Sequence, residues 1–335
     1  MTAVLDALEA KLRADPNDWP SWLVFADWLL DQGDARGELI TLEYELDTKL
    51  LPTRKRHEYV KRIAAIDREH RSAWLDGLAL PPGAAPVWRN GFVVGMWSPV
   101  TFQLLDTIGT WHAHRTARFL GALDVTESGL QDADLTALLA CDALSRFSSL
   151  RLRDNQIGDA EAARIADAST LDGLCTLDLS DNPIGPDGAR ALASGPWHSL
   201  RELELDRCPI GDEGAVSLAG SAFLPSLRRL HLRSAGIGSA GAEALAASAT
   251  ELERLRLAHD PIGTAGLDAW VRSRSWASLR WVDLHDTSIS SFRALLAPHD
   301  PPLQHLQLLD VSGNAASDTE AVIEACRTIG CKTSA

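Results

Sequence analysis

The stretches LRLRDNQIG from Leu150, LDLSDNPIG from Leu177, LELDRCPIG from Leu203, LHLRSAGIG from Leu230 and LRLAHDPIG from Leu255 are one phrase written five times. A weaker copy, VDLHDTSIS, follows from Val282. The isoleucines that close the phrases are Ile157, Ile184, Ile210, Ile237, Ile262 and Ile289, spaced 27, 26, 27, 25 and 27 residues apart. Outward from this block, LGALDVTESGL from Leu120 places Leu130 a further 27 residues before Ile157, and LLDVSGN from Leu308 ends the series, making eight repeats. A fixed period of this size predicts a stack of units, each burying its apolar face only against its neighbours.

Within a repeat the order of parts is constant. A short strand such as Leu177-Asp178-Leu179 turns its leucines inward and its alternate residues outward. A turn follows, where Asn155, Asn182 or Asn314 can bond neighbouring backbone. Then come an Ile-Gly turn, a capped start such as Pro186-Asp187 or Asp212-Glu213, and an alanine-rich helix that favours close packing on the next. The L-x-L-x-x-N/C core at this period resembles the leucine-rich repeat, and the helical second half resembles its ribonuclease-inhibitor type. The resemblance covers residues 120–335 and implies an α/β solenoid, with a parallel sheet on the concave face and helices on the convex face of a right-handed horseshoe. It bears on architecture, not on function.

Residues 1–80 read as helical. Leu5, Leu8 and Leu12 form one face ended by Asp15-Pro16. Pro20 starts a second helix, closed near Gly33, a third runs from about Gly37 to Leu50, and a fourth runs from Thr53 to about Leu75. The segment Leu80–Pro86 reads as a linker, GFVVGMW from Gly91 as a strand and Pro99–Ile108 as a short helix, so residues 81–119 are expected to be a linker and degenerate first repeat. The stretch Asp15–Ile40, with Phe25-Ala26-Asp27-Trp28-Leu29 followed by Gly33-Asp34-Ala35-Arg36-Gly37-Glu38, resembles the short repeat-companion domain of myxobacterial and planctomycete proteins. HRSAWLDGL from His70 and WRNGFVVGM from Trp88 fit the same pattern, whereas Trp19 and Trp22 depart from it. The resemblance implies a bacterial source and an α-helical N-terminal cap on the repeats, and carries no activity with it. Asp27, Asp31, Asp34, Arg36 and Glu38 form a polar cluster there, expected to be structural, with Arg36 paired to Asp27 or Asp31.

The chain has 32 basic and 46 acidic residues, a formal charge of −14. This argues against nucleic acid and anionic membranes as partners. No apolar run approaches the roughly 20 residues that span a bilayer, and the N-terminus lacks the basic and apolar regions of a signal peptide. Five cysteines without a CxxC pair suit a reducing cytoplasm.

Chemistry is sparse. His112 and His114 lack a third and fourth ligand nearby, and Cys326 and Cys331 read as ordinary thiols, so neither a metal nor a cofactor is expected. The paired glycines Gly185/Gly188, Gly211/Gly214, Gly238/Gly241 and Gly263/Gly266 recur every period, which makes them turn and helix-start residues rather than a phosphate loop. No GxSxG, HExxH or Walker motif occurs, and no catalytic residue is assigned.

The informative positions are those pointing out of the sheet. Acid gathers in the fourth repeat as Glu202, Glu204 and Asp206. Base gathers in the fifth and sixth as Arg229, His231, Arg233, Arg254 and Arg256, and Trp281, Asp283 and His285 follow in the seventh. Side neighbours can pair across strands: Arg151 with Asp178, Glu202 with Arg229, Asp206 with Arg233 and Arg256 with Asp283. Alternatively the strip is a docking surface anchored by Trp281, since Trp and Arg dominate interface hot spots. The expectation is a non-catalytic protein–protein interaction module of a bacterial signalling or conflict system, with a protein partner on the concave face and its oligomeric state open. Two other readings stand beside it: a GTPase regulator resembling Ran GTPase-activating proteins, and an adaptor for a protein-modifying enzyme.

Overall fold

The computed structural model describes residues 2–14, 18–99, 102–296 and 303–334. The chain divides into two compact units, Met1–Asp124 and Val125–Ala335.

The first unit opens with four helices: α1 (Thr2–Ala14), α2 (Trp19–Asp31), α3 (Arg36–Thr48) and α4 (Thr53–Leu75). The expected helix end at Asp15-Pro16 lies outside the described residues. Asp18 caps α2 by accepting the Ser21 N–H at 3.3 Å. Trp22, Phe25, Ala26 and Leu29 fall at helical spacing and are buried together. Gly37 lets α3 cross α2 closely, because a Cβ there would stand 2.6 Å from the Ala26 carbonyl oxygen.

An antiparallel hairpin of β1 (Ala85–Arg89) and β2 (Phe92–Trp97) follows, then α5 (Phe102–Trp111) and β3 (Ala122–Asp124), which pairs parallel to β2. The strand β1 is a correction to the sequence reading, in which Ala85 and Pro86 belong to a linker. Pro86 is tolerated because β1 pairs on one side only among the described strands of this unit. The helices pack on this segment through Phe92 and Phe119, whose ring centroids lie 5.0 Å apart, with Phe119 also 5.0 Å from Trp22.

Arg36 is 4% exposed, with its guanidinium 4.4 Å from the Phe92 ring centroid and 5.6 Å from that of Trp74. Its acid is Asp34, not Asp27 or Asp31: Nε donates to Asp34 Oδ1 at 2.9 Å, and Nη1 reaches Thr116 Oγ1 at 3.4 Å. Burial raises the Asp34 carboxyl, but hydrogen bonds from Arg36 outweigh this and hold it below the usual carboxylate range. Glu38 pairs with Arg62 instead, at 2.6 Å.

The second unit is the repeat array. Its strands are β4 (Ser149–Arg151), β5 (Thr176–Asp178), β6 (Glu202–Glu204), β7 (Arg229–His231), β8 (Arg254–Arg256), β9 (Trp281–Asp283), β10 (Leu308–Asp310) and β11 (Lys332–Ser334). All pair parallel in unbroken register, Leu150 beside Leu177, Leu203, Leu230, Leu255, Val282, Leu309 and Thr333. The helices between them are α6 (Asp132–Leu139), α7 (Asp159–Asp167), α8 (Pro186–Ala193), α9 (Gly211–Ala219), α10 (Ser239–Ser248), α11 (Gly263–Arg272) and α12 (Thr319–Ile329). No regular helix occurs among the described residues between β9 and β10. Gly330, at φ +77°, ends α12 and turns the chain into β11, a strand the sequence reading did not foresee.

Two ladders hold the repeats in step. In the first, Asn182 Oδ1 accepts the N–H groups of Asn155 and Ile157 at 2.9 and 3.0 Å, while its Nδ2 donates to the carbonyls of Leu152 and Leu179 at 3.0 and 2.8 Å. Asn155 and Asn314 act alike. In the second, Asp159 accepts from Gly185 and Gly188, and Asp212 from Gly238 and Gly241, so each aspartate caps the helix of the following repeat. The second glycine of each pair serves close packing: a Cβ on Gly241 would meet Asp212 Oδ1 at 2.6 Å and Ala215 Cβ at 2.9 Å. This is a structural role, as the periodicity implies.

A candidate partner-binding sheet face

The strands β4 to β10 bury their middle residue and leave the first at least partly exposed, and the third is partly exposed except in β5 and β9, where Asp178 and Asp283 are buried, so the sheet presents one polar face. Parallel in-register pairing turns sequence repetition into rows. One row runs Glu202, Arg229, Arg254, Trp281 and Leu308; the next runs Glu204, His231, Arg256, Asp283 and Asp310. A third follows just past the strands, with Asp206, Arg233, Ala258 and His285. All eleven residues singled out from sequence therefore lie on one continuous face.

The charges on that face are mostly matched. Arg229 pairs with Glu202 at 2.8 Å, as its position suggests. Arg256 bridges two acids across four strands, β6 to β9, Asp206 at 3.0 Å and Asp283 at 3.1 Å. His231 Nδ1 lies 3.4 Å from Glu204 Oε2, and this ring is the main reason the Glu204 carboxyl is held low. The expected Asp206–Arg233 side-chain pair is replaced: Asp206 Oδ1 accepts the Arg233 backbone N–H at 2.8 Å, and the Arg233 guanidinium turns to His259 Nε2 at 3.0 Å. Arg151 and Asp178 form no ion pair. Asp178 is 6% exposed and accepts the Ser180 N–H at 2.9 Å; burial, then the charge of Glu204, pushes its carboxyl up.

The sequence reading missed the position one residue further on. Asp154, Asp181, Arg207, Ser234, His259 and Asp286 all have φ between 51° and 60°. Here Asp181 receives both Arg153, at 2.7 Å, and Arg207, and His259 Nδ1 meets Asp286 Oδ2 at 3.1 Å. The signal was available, since these residues directly precede the Asn/Cys/Asp position in successive copies.

Two groups stand apart from the pairing. Arg254 is exposed and makes no ion pair among the described residues. Its neighbour Trp281 is half-buried, with the Arg256 guanidinium 5.8 Å from its ring centroid and the His231 ring 6.2 Å away. A rigid aromatic side chain beside an unneutralised guanidinium on an in-register sheet suits recognition rather than proton or group transfer. His112 Nε2 and His114 Nε2 each lie 3.0 Å from a backbone carbonyl, of Leu120 and Asp76. Among the described residues no group of three His, Cys, Asp or Glu is placed to hold a metal ion, and no helix is long and apolar enough to cross a membrane.

The cysteines divide by position. Cys208 is buried at the asparagine-ladder site, donates to the Leu179 carbonyl at 3.2 Å, and has its thiol pushed up to about 12 by burial. Cys175 precedes β5 and is partly exposed. In the folded protein a bulky maleimide is expected to modify Cys175 and spare Cys208, read by intact-mass and peptide mapping. Equal labelling of both would contradict this placement.

A leucine rich repeat family matches residues 174–193, 198–219 and 223–246. The chain is 40% identical over 112 residues to a Tonsoku-like protein from Bos taurus, a match that covers 31% of the chain and 8% of that protein. It is 29% identical over 224 residues to a Tonsoku-like protein from Mus musculus, covering 60% of the chain and 16% of that protein. The chain thus spans less than a fifth of the length of these relatives. Among solved structures, an internalin from Listeria monocytogenes is similar over 58% of this chain and 53% of its own, with 19% identity and a TM-score of 0.41. The array is a leucine-rich-repeat fold of parallel strands and helices, an architecture that serves protein–protein interaction.

Proposed function

We propose that this chain is a protein-recognition module without chemistry of its own, and that its partner lies on the sheet face across repeats four to seven. The observation that carries this reading is Trp281 beside Arg254 in the strand register: an apolar anchor and an unneutralised cation, set between side chains fixed by mutual pairing. Pre-paired neighbours lower the cost of ordering the surface on binding. A solubilising surface would have no use for tryptophan at that point in the row. The resemblance of the N-terminal helices to the repeat-companion domain supports a scaffold, sensor, target or regulator in a bacterial signalling or conflict system, in the cytoplasm.

The partner is to be obtained by affinity capture with the full chain from the native host, and the complex examined by hydroxyl-radical footprinting. Trp281 and His231 should lose reactivity on binding, while Val216, exposed on α9, keeps its own. Protection confined to the helices would overturn the assignment of the face.

A further inference from the structure

The sheet face is polar along its strands as well as from repeat to repeat. The residues immediately before the strands and at their first positions, over β5 to β10, include Arg201, Arg228, Arg229, Arg254 and Arg280, against Glu202 and Glu253. This edge therefore carries a net charge of +3, in a chain whose formal charge is −14. Beyond it, from the third strand position onward, acids outnumber bases, with Asp178, Glu204, Asp206, Asp283 and Asp310 on the face and Asp181 and Asp286 at its far margin.

Internal pairing does not remove the basic edge. Glu202 is taken by Arg229 at 2.8 Å, and Arg228 is met by Glu251 at 2.8 Å. Arg201, Arg254 and Arg280 form no ion pair among the described residues; Arg201 and Arg280 direct Nη1 to backbone carbonyls. Arg229 and Arg254 are register partners on adjacent strands, whose backbones run roughly 4.8 Å apart. Like charges at directly opposed positions repel, and an added anion relieves the repulsion. Next in the same row come Trp281 and then Leu308, both partly exposed. The sequence of properties along the row is thus cation, cation, aromatic, aliphatic.

We propose that this edge receives an acidic segment of the partner protein, with carboxylates of Asp or Glu on Arg254 and its neighbours and an adjacent apolar side chain on Trp281 and Leu308. The inference rests on the sheet-face reading above and narrows its partner to a chemistry. Protein carboxylates fit better than nucleic-acid phosphates, because the rest of the face is acidic and would repel a polyanion that continued across it.

The test uses fluorescently labelled short peptides containing Asp/Glu clusters next to Leu or Phe, the same peptides with Lys in place of the acids, and a short single-stranded oligonucleotide, each titrated by anisotropy against the full chain. Saturable binding of the acidic peptides is expected, absent for the basic ones, weakened by added salt, and weakened at least about tenfold by Arg254→Glu. Arg254 is exposed and unpaired, so this variant should fold normally, and unchanged circular dichroism checks that. Failure of the acidic peptides to bind, equal binding of the basic set, tighter binding of the oligonucleotide, or indifference to Arg254→Glu would each overturn the proposal. A captured partner that protects Trp281 through a basic segment would overturn this inference alone; a partner on the helices would overturn the sheet-face reading itself.

Discussion

Replacing Arg36 by Ala is expected to destabilise the first unit by about 3 kcal/mol or more. The side chain is almost fully buried, its guanidinium packs on Phe92 and Trp74, and it holds Asp34 and Thr116 together. Truncation removes the packing, leaves the Asp34 carboxylate without its partner and opens a cavity beside Gly91, whose Cα region the Arg36 stem closely covers. Arg36→Lys should recover little of this, because an ammonium lacks the planar fork that satisfies Asp34. Urea unfolding of the full chain, followed separately for the two units by hydrogen exchange, reads the effect. A midpoint unchanged in Arg36→Ala would show that the ion pair is incidental.

Asp260→Asn is expected to have the opposite sign and stabilise the protein at neutral pH by about 2–3 kcal/mol. Asp260 stands in the asparagine ladder but cannot donate as asparagine does. Its Oδ1 accepts the Ile237 N–H at 2.9 Å, while the fully buried Oδ2, which replaces the amide NH2, has no partner among the described residues. Burial pushes its carboxyl up to about 6. The folded state therefore favours the protonated form. Its contribution is fully present below the unfolded value of roughly 4 and is lost as pH rises through about 6. The stability difference between variant and wild type should be small at pH 4, grow up to about pH 6 and level off above it. A difference that does not change with pH would show that Oδ2 has found a donor.

Much of the second unit was legible because a period of 25–27 residues fixes register as well as element type. Once the leucines of one strand are placed, every outward residue of the next is placed too, so the eleven face residues could be named without coordinates. Choice of partner was less legible. A one-period rule pairs Arg256 with Asp283 and Asp206 with Arg233, but a long guanidinium reaches over a whole strand, and Arg256 takes Asp206 as well. Arg233 then turns to His259, a position that no alternation rule counts as outward. β1 was hidden by Pro86 and by the prolines and glycine just before it, and β11 by being three polar residues long; each is held by pairing to one neighbour, which composition does not reveal. Arg36 was expected to reach an acid on α2, but the short turn from Gly33 brings Asp34 back onto it.

The central claim, that the sheet face carries recognition, is tested most directly by measuring one captured partner against three full-length proteins: wild type, Trp281→Ala and Val216→Glu. Trp281→Ala should weaken binding by on the order of 2 kcal/mol, about thirtyfold, with the repeat array still folded. Val216→Glu, which places a charge on the exposed side of α9, should bind as wild type does. Wild-type affinity in Trp281→Ala together with loss of binding in Val216→Glu would contradict the account and move the interface to the helices.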